Sequence, residues 1–179
     1  MWFRFTHNAS FPYVSNCERA RQAVYDCGEG AQLQFRKSHL KFSRLNHIFI
    51  SHLHGDHCFG LLGLISTLNL LGRTAELHIH SPKGLETLLT PMLDFFNRQM
   101  TYKVLFHEFD TKEPMLIYED RSLTVTTIPL RHRMPCCGFL FAEKRRPNHI
   151  IREMVDFYQV PVYELNRIKN GADYVTPEG

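Results

Sequence analysis

The chain has 179 residues, 44% of them hydrophobic and 22% charged, with a formal net charge of +3. That is the size of one domain with a real core, and the composition is that of an ordinary globular protein. No apolar run approaches the roughly 18–20 residues that a membrane helix needs, and "MWFRFTHNAS" lacks the apolar stretch of a secretory signal, so a cytoplasmic location is expected.

Five cysteines, an odd number without a Cys-x-x-Cys pair, fit free thiols in a reducing compartment better than a disulfide framework. Cys58 and the vicinal pair Cys136 and Cys137 read as buried thiols. The positive charge is unevenly spread. Arg36, Lys37, Lys41 and Arg44 have no acid among them, and a second basic stretch runs from Arg131 and Arg133 to Lys144, Arg145, Arg146 and Arg152. Such patches suit a polyanion, or simply a solvated basic face.

Along the chain, short β-branched and aromatic runs predict strands: "QAVYD" (22–26), "NHIFIS" (46–51), "AELHIH" (75–80), "KVLFHEF" (103–109), "MLIYE" (115–119), "SLTVTTI" (122–128) and "GFLFA" (138–142). "YEDRSL" reads as a hairpin turn. "GLLGLISTLNLLG" (60–72) is apolar nearly all round and predicts a buried helix ending at Gly72. "SPKGLETLLTPMLDFFNRQ" (81–99) predicts a second helix, with Ser81 as its N-cap and Pro82 in its first position. "NHIIREMVDFY" (148–158) reads as an amphipathic helix, and "VYELNRIKNGADYVTPEG" as a loop or arm. Strands and helices are mixed, which places the chain in the α/β (α+β) class.

The chemistry concentrates in "ISHLHGDHCFG" (50–60), where His52, His54, Asp56 and His57 follow directly on a strand. Ligand sites of open α/β sheets sit at the carboxyl ends of strands. A tight loop, permitted by Gly55, lets imidazoles and a carboxylate converge on one or two divalent ions. Imidazole nitrogens suit zinc, and the carboxylate suits a second, hydrolytic position. His52 and His54 need a further ligand from elsewhere, and His132 in "TIPLRHRMPCCGF" is the best candidate. His7, His39, His47, His78, His80, His107 and His149 read as surface or core residues. In "DCGEGAQLQ" (26–34), Asp26 ends a strand before a glycine turn, where it could accept the distal N–H of a metal-bound histidine or cap the turn.

Together "DCGEGAQLQ", "SHLHGDHCFGLLGL" and "PLRHRMPCCGF" resemble the metallo-β-lactamase superfamily and, within it, the ribonuclease Z family of tRNA 3′-processing endonucleases. The resemblance implies half of a four-layer αβ/βα sandwich within a single metallo-β-lactamase-like domain. It implies two zinc ions, one held by His52, His54 and His132, the other by Asp56 and His57. Asp56 would also accept a proton, and Asp26 would support the ligands from behind. An inserted arm from about Glu143 to Tyr174, with Lys144, Arg145 and Arg146 at its base, would grip precursor tRNA, and the protein would form a homodimer. The family pattern continues past position 179 with a bridging aspartate and further histidines, so the 179 residues alone are expected to bind zinc weakly and not to cleave RNA. The alternatives are another hydrolase of the superfamily, acting on a thioester, lactone or β-lactam, and an RNA-binding half without catalysis. The first of these should lack the "DCGEGAQLQ" stretch and the basic arm.

Overall fold

The computed structural model describes residues 23–37, 41–144 and 148–175. The chain divides into two compact units, residues 1–143 and 144–179.

In the first unit four strands, β1 (Ala23–Tyr25), β2 (His47–Phe49), β3 (Leu77–Pro82) and β4 (Val104–Phe109), form a parallel sheet in the order β1-β2-β3-β4. Parallel neighbours require crossovers, and these carry the helices α1 (Ala31–Lys37), α2 (Gly55–Cys58), α3 (Gly60–Leu70) and α4 (Leu85–Phe96). One sheet face, with Val24, Ile48, Ile50, Leu77 and Ile79, packs against Ala31 and Phe35 of α1, Leu61, Leu64, Ile65 and Leu68 of α3, and Leu85, Leu89 and Leu93 of α4. The near-continuous apolar character of "IFI" and of the α3 segment follows from this position, since both are enclosed on more than one side.

The opposite face meets a second sheet. Strands β5 (Leu116–Glu119), β6 (Leu123–Pro129) and β7 (Cys137–Glu143) are antiparallel in the order β5-β6-β7. Asp120 shapes the β5–β6 hairpin by accepting from the backbone N–H groups of Ser122 and Leu123 at 2.6 and 2.7 Å. Ala23 and Phe49 pack here with Leu123, Val125, Phe139 and Phe141. A helix layer, a parallel sheet and an antiparallel sheet are therefore stacked in that order, which is the half sandwich that the sequence led us to expect.

The sheet face turned toward the second sheet also carries four histidines, from His80, which is buried, to His107, which is exposed. The register pairs His47 with His78 and His80 with His107, so all four side chains share one face of the parallel sheet. His47 Nδ1 lies 3.3 Å from His80 Nε2, and His78 Nδ1 lies 2.9 Å from His107 Nε2. The His80 ring stacks on Phe49 at 4.5 Å and on His107 at 4.8 Å. Burial pushes the His80 imidazole down to about 3 and that of His47 to about 4, with the neighbouring histidines adding to both shifts.

One helix start differs from expectation. Ser81 and Pro82 belong to β3, paired with Glu108 and Phe109, and α4 begins at Leu85 behind Gly84 in a left-handed conformation (φ 108°). The cap comes from a distant residue: the Glu108 carboxylate accepts from the N–H groups of Gly84 and Glu86 at 2.8 and 3.1 Å. A buried serine inside a ladder cannot also cap, so the local signal loses to the tertiary one.

In the second unit α5 (Arg152–Phe157) is shorter than the predicted 148–158 helix. The segment read as a loop or arm forms a 3-10 turn (Val162–Glu164) and the short helix α6 (Leu165–Lys169). Arg152 and Asp156 pair at i, i+4, and Arg167 and Glu164 at i, i+3.

Candidate metal centre

The centre is assembled on the loops that leave the carboxyl ends of β1, β2 and β6. After β1 the chain turns at Asp26, which adopts a left-handed backbone (φ 54°). That conformation is uncommon for a residue with a Cβ and needs surrounding bonds to hold it. Ser51, just after β2, supplies them. Its backbone N–H donates to Asp26 Oδ1 at 2.8 Å and its hydroxyl donates to Oδ2 at 2.9 Å. The backbone N–H of Asp26 donates to the Phe49 carbonyl at 2.8 Å.

Two glycines let the loops close on one another. A Cβ on Gly28 would land on the Asp56 carbonyl oxygen, and one on Gly60 would land on that of Gly28. The backbone N–H of Cys27 donates to the His57 carbonyl at 2.7 Å, and that of Gly60 donates to the Cys27 carbonyl at 2.8 Å. The β1 turn and the histidine loop are thus one hydrogen-bonded body.

Within it, His52 Nε2 faces His54 Nδ1 at 3.1 Å. The ring of His132 stands 4.8 Å from that of His52 and 5.1 Å from that of His54. The three residues offer nitrogens that all lie within 4.8 Å of one another. His132 sits on the loop closed by the bond from Leu130 N–H to the Cys136 carbonyl, and the Met134 N–H donates to its Nδ1 at 3.2 Å. Two imidazoles on one tetrahedral ion, each bonded at roughly 2.0–2.1 Å, place their nitrogens about 3.3 Å apart. The donor set and its spacing therefore fit a divalent metal. Burial grades from His52, which is buried, to His132, which is exposed, so the centre opens to solvent on one side.

Asp56 and His57 lie beside this trio. His57 Nε2 is 3.4 Å from Asp56 Oδ2, and its Nδ1 donates to Asp26 Oδ2 at 2.6 Å. That hydrogen bond holds the His57 imidazole above its ordinary value, against the effect of burial. His52 is pushed down to about 4, chiefly by burial and then by the His57 charge. Asp26 therefore supports His57 directly, and it reaches His52 through the Ser51 hydroxyl, which lies 2.9 Å from His52 Nδ1. The sequence reading did not single out Ser51. Its place between the strand and the first histidine is a signal that only the turn geometry makes legible.

Of the remaining predicted residues, Lys144 opens the second unit, while Arg145 and Arg146 lie outside the described residues. Cys27, Cys58, Cys136 and Cys137 are buried free thiols. Burial pushes the Cys137 thiol up to about 12, which leaves it inert at neutral pH. Cys17 lies outside the described residues.

The model of the β-lactamase superfamily domain matches residues 21–150, and the chain belongs to that superfamily. Within it, the sequence is 80% identical over 161 residues to the ribonuclease Z of Bacteroides fragilis, covering 90% of this chain and 53% of that protein. The ribonuclease Z of Bacteroides thetaiotaomicron is 78% identical over 161 residues, covering 90% of this chain and 51% of that protein. The chain thus spans about half the length of the curated relatives it matches. Among solved structures, human tRNase Z, short form, superposes with a TM-score of 0.64 at 33% identity, covering 74% of this chain and 58% of that one. Among the described residues no helix is long and apolar enough to cross a membrane.

Proposed function

We propose that the polypeptide carrying these residues is a zinc-dependent endoribonuclease that removes the 3′ trailer from precursor tRNA, leaving a 3′-hydroxyl on the tRNA and a 5′-phosphate on the trailer. The observation that carries this reading is the convergence of His52, His54 and His132 in a chain 80% identical to a ribonuclease Z. His52, His54 and His132 hold one ion, and Asp56 and His57 contribute to a second. Imidazole donors favour zinc over the harder cations. When bound, the metal supplies Lewis acidity toward a phosphoryl oxygen and lowers the pKa of water toward neutrality.

The protein's own residues do the rest. Asp56, with its side chain 52% exposed, presents Oδ2 at the mouth of the site, where it accepts a proton from the attacking water. Asp26 fixes the His57 ring so that Nε2, and not Nδ1, faces the site. The segment from about Glu143 to Tyr174 is the arm that holds the tRNA at a distance from the cut, with Lys144, Arg145 and Arg146 at its base. Recognition there rests on phosphate contacts and shape more than on base sequence. The protein works in the cytoplasm as a homodimer.

The test is cleavage of a precursor tRNA labelled in both the tRNA and the trailer, with and without chelator and with His54→Ala. Cleavage after the discriminator position, lost on chelation and reduced at least a hundredfold by the substitution, is the expected result. Cleavage that survives both treatments, or that leaves a cyclic phosphate, would overturn the reading.

A further inference from the structure

Beside His132 the structure holds a concave pocket of about 520 Å³ that the site as described does not use. Three loops meet there: the β3–α4 turn with Lys83, the β4–β5 loop with Asp110 and Lys112, and the β6–β7 loop with Arg131 and Arg133. The lining thus carries four cations and one carboxylate. Lys83, Lys112, Arg131 and Arg133 are all exposed, and among the described residues none of their side chains makes an ion pair or hydrogen bond. The carboxylate is already engaged, since Asp110 Oδ1 accepts from the backbone N–H of Lys112 at 3.0 Å. The nearby start of α4 is also occupied, by Glu108. Anion affinity in this pocket therefore comes from the side-chain cations alone.

Unpaired cations on separate loops repel one another and gain nothing for the fold, whereas a phosphodiester strand neutralises them and releases counterions. His132 lies in the same lining, so a strand seated in the pocket runs directly into the metal centre. We propose that this pocket is a subsite for single-stranded RNA next to the scissile bond, in which Lys83 and Lys112 bind backbone phosphates and Arg131 and Arg133 flank the entry to the centre. The proposal rests on the ribonuclease reading above and adds the path of the strand to it.

The test uses a fluorescein-labelled hexauridylate as probe, in EDTA, with binding read by anisotropy over a range of salt concentrations. Lys83→Ala/Lys112→Ala is expected to weaken binding about tenfold and to lower the slope of log K against log salt by about 1.4, the value for two single-strand phosphate contacts. Lys83→Arg/Lys112→Arg is expected to restore both, which a merely structural role for the lysines would not require. Equal affinity and slope in the alanine variant and the parent would overturn the subsite, as would failure of the parent to bind. Cleavage of precursor tRNA, followed in parallel, separates the two readings. Cleavage with unaltered oligonucleotide binding in the alanine variant overturns the subsite alone. Charge-dependent binding without any cleavage by the whole polypeptide that carries these residues overturns the endonuclease and leaves the subsite standing.

Discussion

Acidification should destabilise this fold through a group remote from the metal centre. His80 is 3% exposed, and its buried Nδ1 has no hydrogen-bond partner among the described residues. Its titratable neighbours are His47, His78 and His107 on the same sheet face and Tyr118 on the opposing sheet, none of which offers a negative charge at neutral pH. Burial holds its imidazole at about 3, against 6.5 in the unfolded chain. The folded state therefore excludes a proton that the unfolded state binds below pH 6.5. Stability is complete above that pH and falls as the pH drops toward the folded value. Each pH unit in this window costs about 1.4 kcal/mol per histidine, so the fall from pH 6.5 to 5.0 costs about 2 kcal/mol through His80 alone. His47, also shifted down, adds to the loss in the same direction. Urea unfolding followed by circular dichroism in EDTA, on the parent and on His80→Phe, reads the term, because titrations of groups that do not touch the His80 cluster cancel in the difference. Phenylalanine keeps the stack on Phe49 and cannot titrate. The stability difference between the two proteins should shift by about 2 kcal/mol in favour of the variant from pH 6.5 to 5.0. A difference that stays constant over that range would refute the reasoning.

The other predictions concern the scaffold of the site and the core. Asp26→Asn should lower zinc affinity by about 10- to 100-fold, measured by competition with a chromophoric chelator, because the ring it orients loses its acceptor; affinity within a factor of two of the parent would count against that role. Gly60→Ala should cost about 3 kcal/mol in urea unfolding, since its Cβ meets backbone. Gly55→Ala is the control, because there the Cβ meets only the side chain of Phe59, which is 64% exposed and free to move. Tyr102→Phe should cost about 1 kcal/mol by the same assay, through the hydroxyl that donates to the Ile65 carbonyl at 2.9 Å.

The histidine loop was legible because its chemistry is local: His52, His54, Asp56 and His57 stand close together in the sequence, and one glycine-containing turn suffices to gather them. His132 and Asp26 were legible only as candidates, each placed after a strand and beside a turn, since nothing in their own segments says which loop they will face. The resemblance gave them their roles. The four histidines on one face of the parallel sheet were not legible as a group. Alternation puts His78 and His80 on one strand face, but the parallel register that brings His47 and His107 alongside them is a tertiary fact. The start of α4 failed for the same reason. Ser81 and Pro82 look like a helix opening until the ladder to β4 claims them and Glu108 caps the helix from another strand. In the second unit the polar segment after Pro161 folds into short helical turns, which weak periodicity over so few residues does not announce.

The clamp of Ser51 on Asp26 has a consequence for how the site meets its ion. Both oxygens of Asp26, its own strained backbone, and the loop bonds from Cys27 to His57 and from Gly60 to Cys27 are satisfied by protein groups alone. Small zinc domains spend their binding energy on folding, so stripping the metal denatures them. Here the bonds that hold the loops run between protein groups and leave His52 Nε2, His54 and His132 to present their nitrogens close to one another. Loss of the ion would then break none of the hydrogen bonds that join the β1 turn to the histidine loop.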